Sequence, residues 1–199
     1  GLGYPRRARN LHAAAAVVTE HHEGRLPDTL DELLALPGIG PYTARAVLAF
    51  AFERDVAVVD TNIARILARA LGERLTPKRA QAAADALVPV GEGWTWNQVV
   101  MDLGAMVCRP TPRCDVCPIA VSCVWCRAGC PTPDPAVGSA GVSAKQPPFE
   151  GSDRQRRGRV LAALAQGARP TIDFDERIVA GLVADGLIER RGTQLSLPT

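Results

Sequence analysis

Leu36 to Val47 reads Leu-Pro-Gly-Ile-Gly-Pro-Tyr-Thr-Ala-Arg-Ala-Val (LPGIGPYTARAV), and the fold turns on this stretch. Upstream, Leu30, Leu33 and Leu34 give a short helix an apolar face, and Pro37 ends it. Pro41 suits the first turn of a following helix, where a missing N–H costs nothing. Tyr42 to Phe52 then continues as a strongly apolar helix. Gly38 and Gly40 leave backbone N–H groups bare at the start of that helix, an end with partial positive charge and unpaired donors. Such an end suits a phosphate oxygen and would hold a nucleic-acid backbone without reading bases. A bare Gly-x-Gly also makes ordinary helix–helix turns, so both readings stand at this point.

Working outward, Arg7 to Thr19 reads as an Ala-rich helix, and Asp60-Thr61-Asn62 is suited to cap a helix from Ile63 to Leu71. Pro77 to Leu87 and Trp96 to Val107 are two more, with a brief extended run at Val56–Val59. Strand signals are nearly absent, so residues 1–130 are predicted to form one all-α domain. After Cys130 the composition changes to PTPDPAVGSAGVSAKQPP, and residues 131–151 read as a linker. Residues 152–199 read as a small winged-helix-like module, with helices near 153–165 and 174–185. A hairpin pairs 187–190 with 194–197.

Four cysteines follow the last helix of the first domain in GAMVCRPTPRCDVCPIAVSC: Cys108, Cys114, Cys117 and Cys123, spaced C-x5-C-x2-C-x5-C. One compact loop can wrap these thiolates around one inorganic centre, zinc or an iron–sulfur cluster. Zinc sites usually pair two C-x2-C knuckles across about 15 to 20 residues. Only one tight pair is present among these four, which favours a [4Fe–4S] cluster. Cys126 and Cys130 read as spare thiols, although Cys114-x2-Cys117 and Cys123-x2-Cys126 keep a zinc reading open. A disulfide framework is disfavoured, because no secretory signal is evident.

The 199 residues are 47% hydrophobic, ordinary for a chain with a core, and carry a formal net charge of only +2. That charge does not argue nucleic-acid binding by itself, so any DNA footprint must be local. No run of about 18 apolar residues is present, so no membrane span is expected. Free thiolates point to a reducing cytoplasm.

Four stretches, in order, then carry a resemblance. GLGYPRRARNLH (1–12), LPGIGPYTARAV (36–47), VVDTNIARILAR (58–69) and WNQVVMDLGAMVC (96–108) resemble segments of MutY-type adenine DNA glycosylases, in the helix-hairpin-helix superfamily. The resemblance covers about residues 1–130. It implies a mainly α, helix-hairpin-helix glycosylase fold with a [4Fe–4S] cluster on Cys108, Cys114, Cys117 and Cys123. The implied partner is double-stranded DNA with A opposite 8-oxoguanine or guanine, met by a monomer at the nucleoid.

By the same resemblance, Asp60 faces the deoxyribose of the flipped adenosine and stabilises its oxocarbenium-like state. Asn62 helps hold the site. Tyr42 replaces the lysine of endonuclease III-like relatives, which attacks the sugar as an amine and cleaves the strand. A phenol cannot form that imine, so a monofunctional enzyme is implied. Tyr4 is the implied wedge beside the extracted base. Arg6, with Arg7 and Arg9, implies backbone contacts, as do Pro37, Gly38, Ile39 and Gly40, and Arg109 and Arg113 in the cysteine loop.

The chain departs from this pattern in three ways. The family's general acid is a glutamate in an upstream helix with no match here, so an N-terminal segment is expected to be missing and the chain as given inactive. The first arm of the cysteine loop is one residue short of the family's C-x6-C. The C-terminal region is too short for the Nudix-like domain that helps many relatives recognise 8-oxoguanine; Arg154, Arg156, Arg157 and Arg159 make the small module either a DNA clamp or simply a solvated helix start. An endonuclease III-like pyrimidine glycosylase/lyase and a non-catalytic iron–sulfur DNA-binding module remain the alternatives.

Overall fold

The computed structural model describes residues 5–142 and 148–198, and Tyr4 lies outside them. The described residues are mainly helical, and the chain divides into two compact units. One comprises residues 26–145; the other joins residues 1–25 to residues 146–199.

The first unit begins with the short α2 (Leu30–Ala35), capped by Thr29, whose hydroxyl accepts from the Glu32 N–H. The LPGIG turn leads into α3 (Pro41–Ala51), with Pro41 in its first turn as expected. Gly38 has φ +75°, a left-handed conformation that a side chain would strain. An extended segment leads to α4 (Thr61–Leu71), capped by Asp60 at its start and ended at Gly72, φ +70°. Next come α5 (Pro77–Asp85), α6 (Gly93–Met106), the cysteine loop and the short α7 (Val124–Arg127).

The core of this unit gathers Ala57, Ile63, Leu67, Ala68, Leu75, Ala80, Ala84 and Ala136, with Trp96, Val100 and Met101 packed on them. Helix α4 is its central element and is buried almost all round. Helix α6 crosses it so closely that a Cβ on Gly104 would lie 2.5 Å from the Asn62 Cβ.

Ala136 belongs to the stretch read from composition as linker. From Asp134 to Gly141 that stretch packs on the core rather than spacing two bodies. The Leu75 N–H donates to the Ser139 hydroxyl over 3.0 Å, and the Ala140 N–H to the Leu75 carbonyl over 2.8 Å. Prolines, glycines and small residues lack long apolar anchors, but their backbone groups bond well and their small side chains fit a tight surface.

The second unit contains α1 (Pro5–His21), α8 (Asp153–Leu164), β1 (Arg169–Pro170), a 3₁₀ turn (Thr171–Asp173), α9 (Glu176–Ala184), β2 (Glu189–Arg191) and β3 (Gln194–Ser196). The strands pair antiparallel in the order β1-β3-β2. From α8 onward the unit runs helix, strand, turn, helix and hairpin. It adds a third short strand to the expected hairpin. Val160, Leu164, Ile178, Val179, Leu182, Ile188 and Leu195 form its core.

Helix α1 falls in the same compact unit as this module. Polar contacts join the two. Asp185 faces Arg6 at 3.7 Å and also pairs with Arg157, and its carbonyl accepts from Arg9.

Candidate active site and cysteine loop

Asp60 stands where an extended segment meets α4, and the protein fixes both. The fully buried Asn97 of α6 accepts from the Val58 N–H over 2.7 Å and donates to the Val56 and Gly93 carbonyls over 2.8 and 2.7 Å. This pins the backbone just before the aspartate. One Asp60 oxygen accepts from the Ile63 N–H over 2.7 Å, as a helix cap. The other accepts from the Asn62 amide over 3.0 Å. Asp60 and Asn62 are half-buried. The resemblance gave Asn62 a part in holding this site, and its amide lies on the Asp60 carboxylate.

The next turns of α4 carry two arginines that the sequence reading passed over. Arg65, 5% exposed, donates to Asn62 Oδ1 over 2.7 Å, to the Gly104 carbonyl over 2.7 Å and to the Cys108 carbonyl over 2.6 Å. Arg69, 2% exposed, reaches the Arg109 and Pro110 carbonyls at 2.7 and 3.0 Å and Cys108 Sγ at 3.3 Å. Arg69 also pairs with Asp134 at 2.6 Å and lies 4.9 Å from the centre of the Trp125 ring. Burial opposes ionisation of Asp134, but the Arg69 hydrogen bond and the Ala136 N–H outweigh it and hold the carboxyl below its ordinary value. The signal was present in the sequence: arginines at i and i+4 among Ile63, Ala64, Ile66, Leu67 and Ala68 must be buried, and buried arginines need partners.

Cys108, Cys114, Cys117 and Cys123 all line one small cavity, walled by Ile66, Val107, Ile119 and Trp125. Cys126 lines it too. Burial raises the Cys108 thiol pKa, against the pull of Arg69. Burial, with Cys130 and Cys126 beside it, pushes Cys114 up to about 12. The thiols of Cys114, Cys126 and Cys130 lie within 4.8 Å of one another and could hold a metal ion. The two cysteines read as spare are therefore beside the loop's second thiol. Arg109 and Arg113 are exposed on the same loop.

In the hairpin, Gly38 is exposed, and Pro37, Ile39 and Gly40 are half-buried. Gly40 has no side chain to cap α3, and no side-chain hydrogen bond caps its start. Tyr42, 52% exposed, lines an open hollow with Val59, the neighbour of Asp60. Gly141 shares that hollow, and its carbonyl accepts from the Thr61 hydroxyl over 2.8 Å.

Residues 21–50, the hairpin and its flanking helices, match the family described as "Helix-hairpin-helix motif". Over 206 residues the chain is 36% identical to the adenine DNA glycosylase of Mycolicibacterium smegmatis, covering 95% of this chain and 68% of that protein. This chain belongs to the adenine DNA glycosylase family. It is also 38% identical over 208 residues to the adenine DNA glycosylase of Mycobacterium tuberculosis, covering 95% of this chain and 66% of that one. The chain thus spans about two-thirds of the length of these relatives. Among solved structures, a thermostable thymine-DNA glycosylase matches with TM-score 0.59 and 34% identity, over 62% of this chain and 59% of that one.

In this adenine DNA glycosylase family chain, the cap of α4 and the cysteine loop are one hydrogen-bonded assembly. It runs from Asp60 through Asn62 and Arg65 to Cys108. Among the described residues no helix is long and apolar enough to cross a membrane.

Proposed function

We propose that the protein hydrolyses the N-glycosidic bond of adenine opposite 8-oxoguanine or guanine in double-stranded DNA, in base excision repair, and that this chain carries its hairpin, aspartate and cysteine loop. The observation that carries the reading is the fixed carboxylate of Asp60. Breaking the bond builds positive charge on the sugar. A carboxylate already oriented by the Ile63 N–H and Asn62 stabilises that charge without reorganising and helps direct water. The proton for the departing adenine is assigned to the upstream glutamate that the resemblance implies.

Tyr42, exposed beside the same segment, offers a phenol in place of a reactive amine. The product is therefore an abasic site, not a cleaved strand. The bare N-terminus of α3 holds a phosphate, aided by Pro37, Gly38, Ile39 and Gly40. Tyr4 wedges the stack, and Arg6, Arg109 and Arg113 touch the backbone. A monomer acting at the nucleoid in the cytoplasm suits these parts.

Cys108, Cys114, Cys117 and Cys123 would hold a [4Fe–4S] cluster. Four thiols converging on one apolar-walled cavity fit an all-thiolate group. When bound, the cluster would supply order to the loop rather than hydrolytic chemistry. Arg69, donating towards Cys108 Sγ, is placed to stabilise thiolate charge there.

The test is single-turnover cleavage of duplex DNA with A opposite 8-oxoguanine, comparing this chain with a longer one carrying the upstream segment. Alkali-dependent cleavage by the longer chain, lost in Asp60→Asn, supports the proposal. Cleavage without alkali, with a borohydride-trapped adduct, favours the endonuclease III-like reading. No cleavage by either chain, with the cluster intact, leaves a DNA-binding module.

A further inference from the structure

We propose that Cys114, Cys126 and Cys130 form a second thiolate site, for a single thiophilic ion such as Zn²⁺, and that it shares Cys114 with the four-cysteine set. The three Sγ atoms all lie within 4.8 Å of one another, and those of Cys114 and Cys130 are 3.9 Å apart. Zinc–sulfur bonds of about 2.3 Å in tetrahedral array place two sulfurs about 3.8 Å apart. The pair therefore already has single-ion spacing. A cluster's terminal thiolates sit on separate irons and lie farther apart than this.

Local structure brings the trio together from three places. Cys114 opens a 3₁₀ turn, Cys126 lies in α7, and Cys130 follows it. Gly129 (φ +81°) and Cys130 (φ +55°) are consecutive left-handed residues that fold the chain back at the end of α7. That reversal is fixed by the Cys130 N–H, which donates to the Trp125 carbonyl over 3.0 Å. All three cysteines are half-buried, so an ion can reach them from solvent.

Three thiolates and one water complete a tetrahedral shell, and the displaced thiol protons pass to solvent. On this proposal Cys114 is a terminal ligand to one centre at a time, so ion and cluster exclude one another. The ion site stands on these residues alone; only the exclusion rests on the cluster reading above.

The experiment titrates the full chain, purified anaerobically and stripped of metal, with Co²⁺, whose absorption reports thiolate ligation and tetrahedral geometry. One equivalent is expected to bind. Cys126→Ser and Cys130→Ser should each weaken it by about tenfold or more, while Cys117→Ser and Cys123→Ser stay within about threefold. Equal weakening by Cys117→Ser and Cys123→Ser, or no binding, overturns the proposal. X-ray absorption of the Zn²⁺-loaded wild-type chain needs no variant: three sulfurs and one light atom are expected, and four sulfurs overturn it. A chain reconstituted with iron and sulfide should bind no Co²⁺. Co²⁺ bound alongside a cluster overturns the exclusion. A chain that takes no cluster overturns the cluster reading and leaves the ion site standing.

Discussion

Arg65 Nε donates to the Cys108 carbonyl over 2.6 Å, although 43 residues separate the two in sequence. The same guanidinium holds Asn62, which holds Asp60. The aspartate and the cysteine loop are therefore positioned by one side chain. In Arg65→Ala, the Gly104 and Cys108 carbonyls lose a buried donor. Urea unfolding should show a loss of about 2–4 kcal/mol. Arg65→Lys should recover only part of it, since an ammonium cannot span the same fork.

Asp60→Asn separates the two duties of the residue. An asparagine caps a helix about as well, so stability should change by about 1 kcal/mol or less. Its new amide would face the Asn62 amide, donor against donor, which accounts for any loss. Glycosylase activity of the longer chain should fall by at least about a hundredfold. A variant that keeps activity would remove Asp60 from the chemistry.

Asp134 should give the protein an acid-sensitive joint. Its carboxyl is held below the ordinary value of about 3.9 by Arg69. The pair's contribution is therefore fully present above about pH 4 and lost as pH falls through the lower folded value. Asp134→Asn should cost about 1–3 kcal/mol at neutral pH and flatten the stability profile below pH 4. Unfolding curves at pH 7 and pH 3 check both. A wild-type profile with no acid slope attributable to this residue would refute the pairing.

Gly104→Ala places a methyl where α6 crosses α4 at Asn62, 2.5 Å from that residue's Cβ. Helix propensity favours the alanine, yet the clash should win, costing about 1–3 kcal/mol in thermal unfolding. An unchanged or stabilised variant would show that the two helices can part.

Most of the helices were legible because each carries its own punctuation. Thr29, Asp60 and Pro77 mark starts, and α3 and α6 keep their expected places. The cap role of Asp60 was legible for the same reason, being local, whereas the part given to Asn62 came only from the resemblance. What the sequence hid was long-range. Nothing near Asp134 announces a partner 65 residues upstream. Composition marked its surroundings as a spacer because proline and glycine score the same in a strap as in a tether. Cys126 and Cys130 looked spare because spacing rules count along the chain, whereas a left-handed reversal at Cys130 acts across it.

Arg69 grips the cysteine loop and Asp134 at once, and Ser139 and Gly141 tie the same stretch to Leu75 and Thr61. The loop is thus no self-contained cassette. Exchanging it between homologous repair enzymes would transplant one half of a clasp. A chimaera joined just after Cys130 would strand a buried guanidinium, whereas a junction beyond Gly141 would carry the clasp whole.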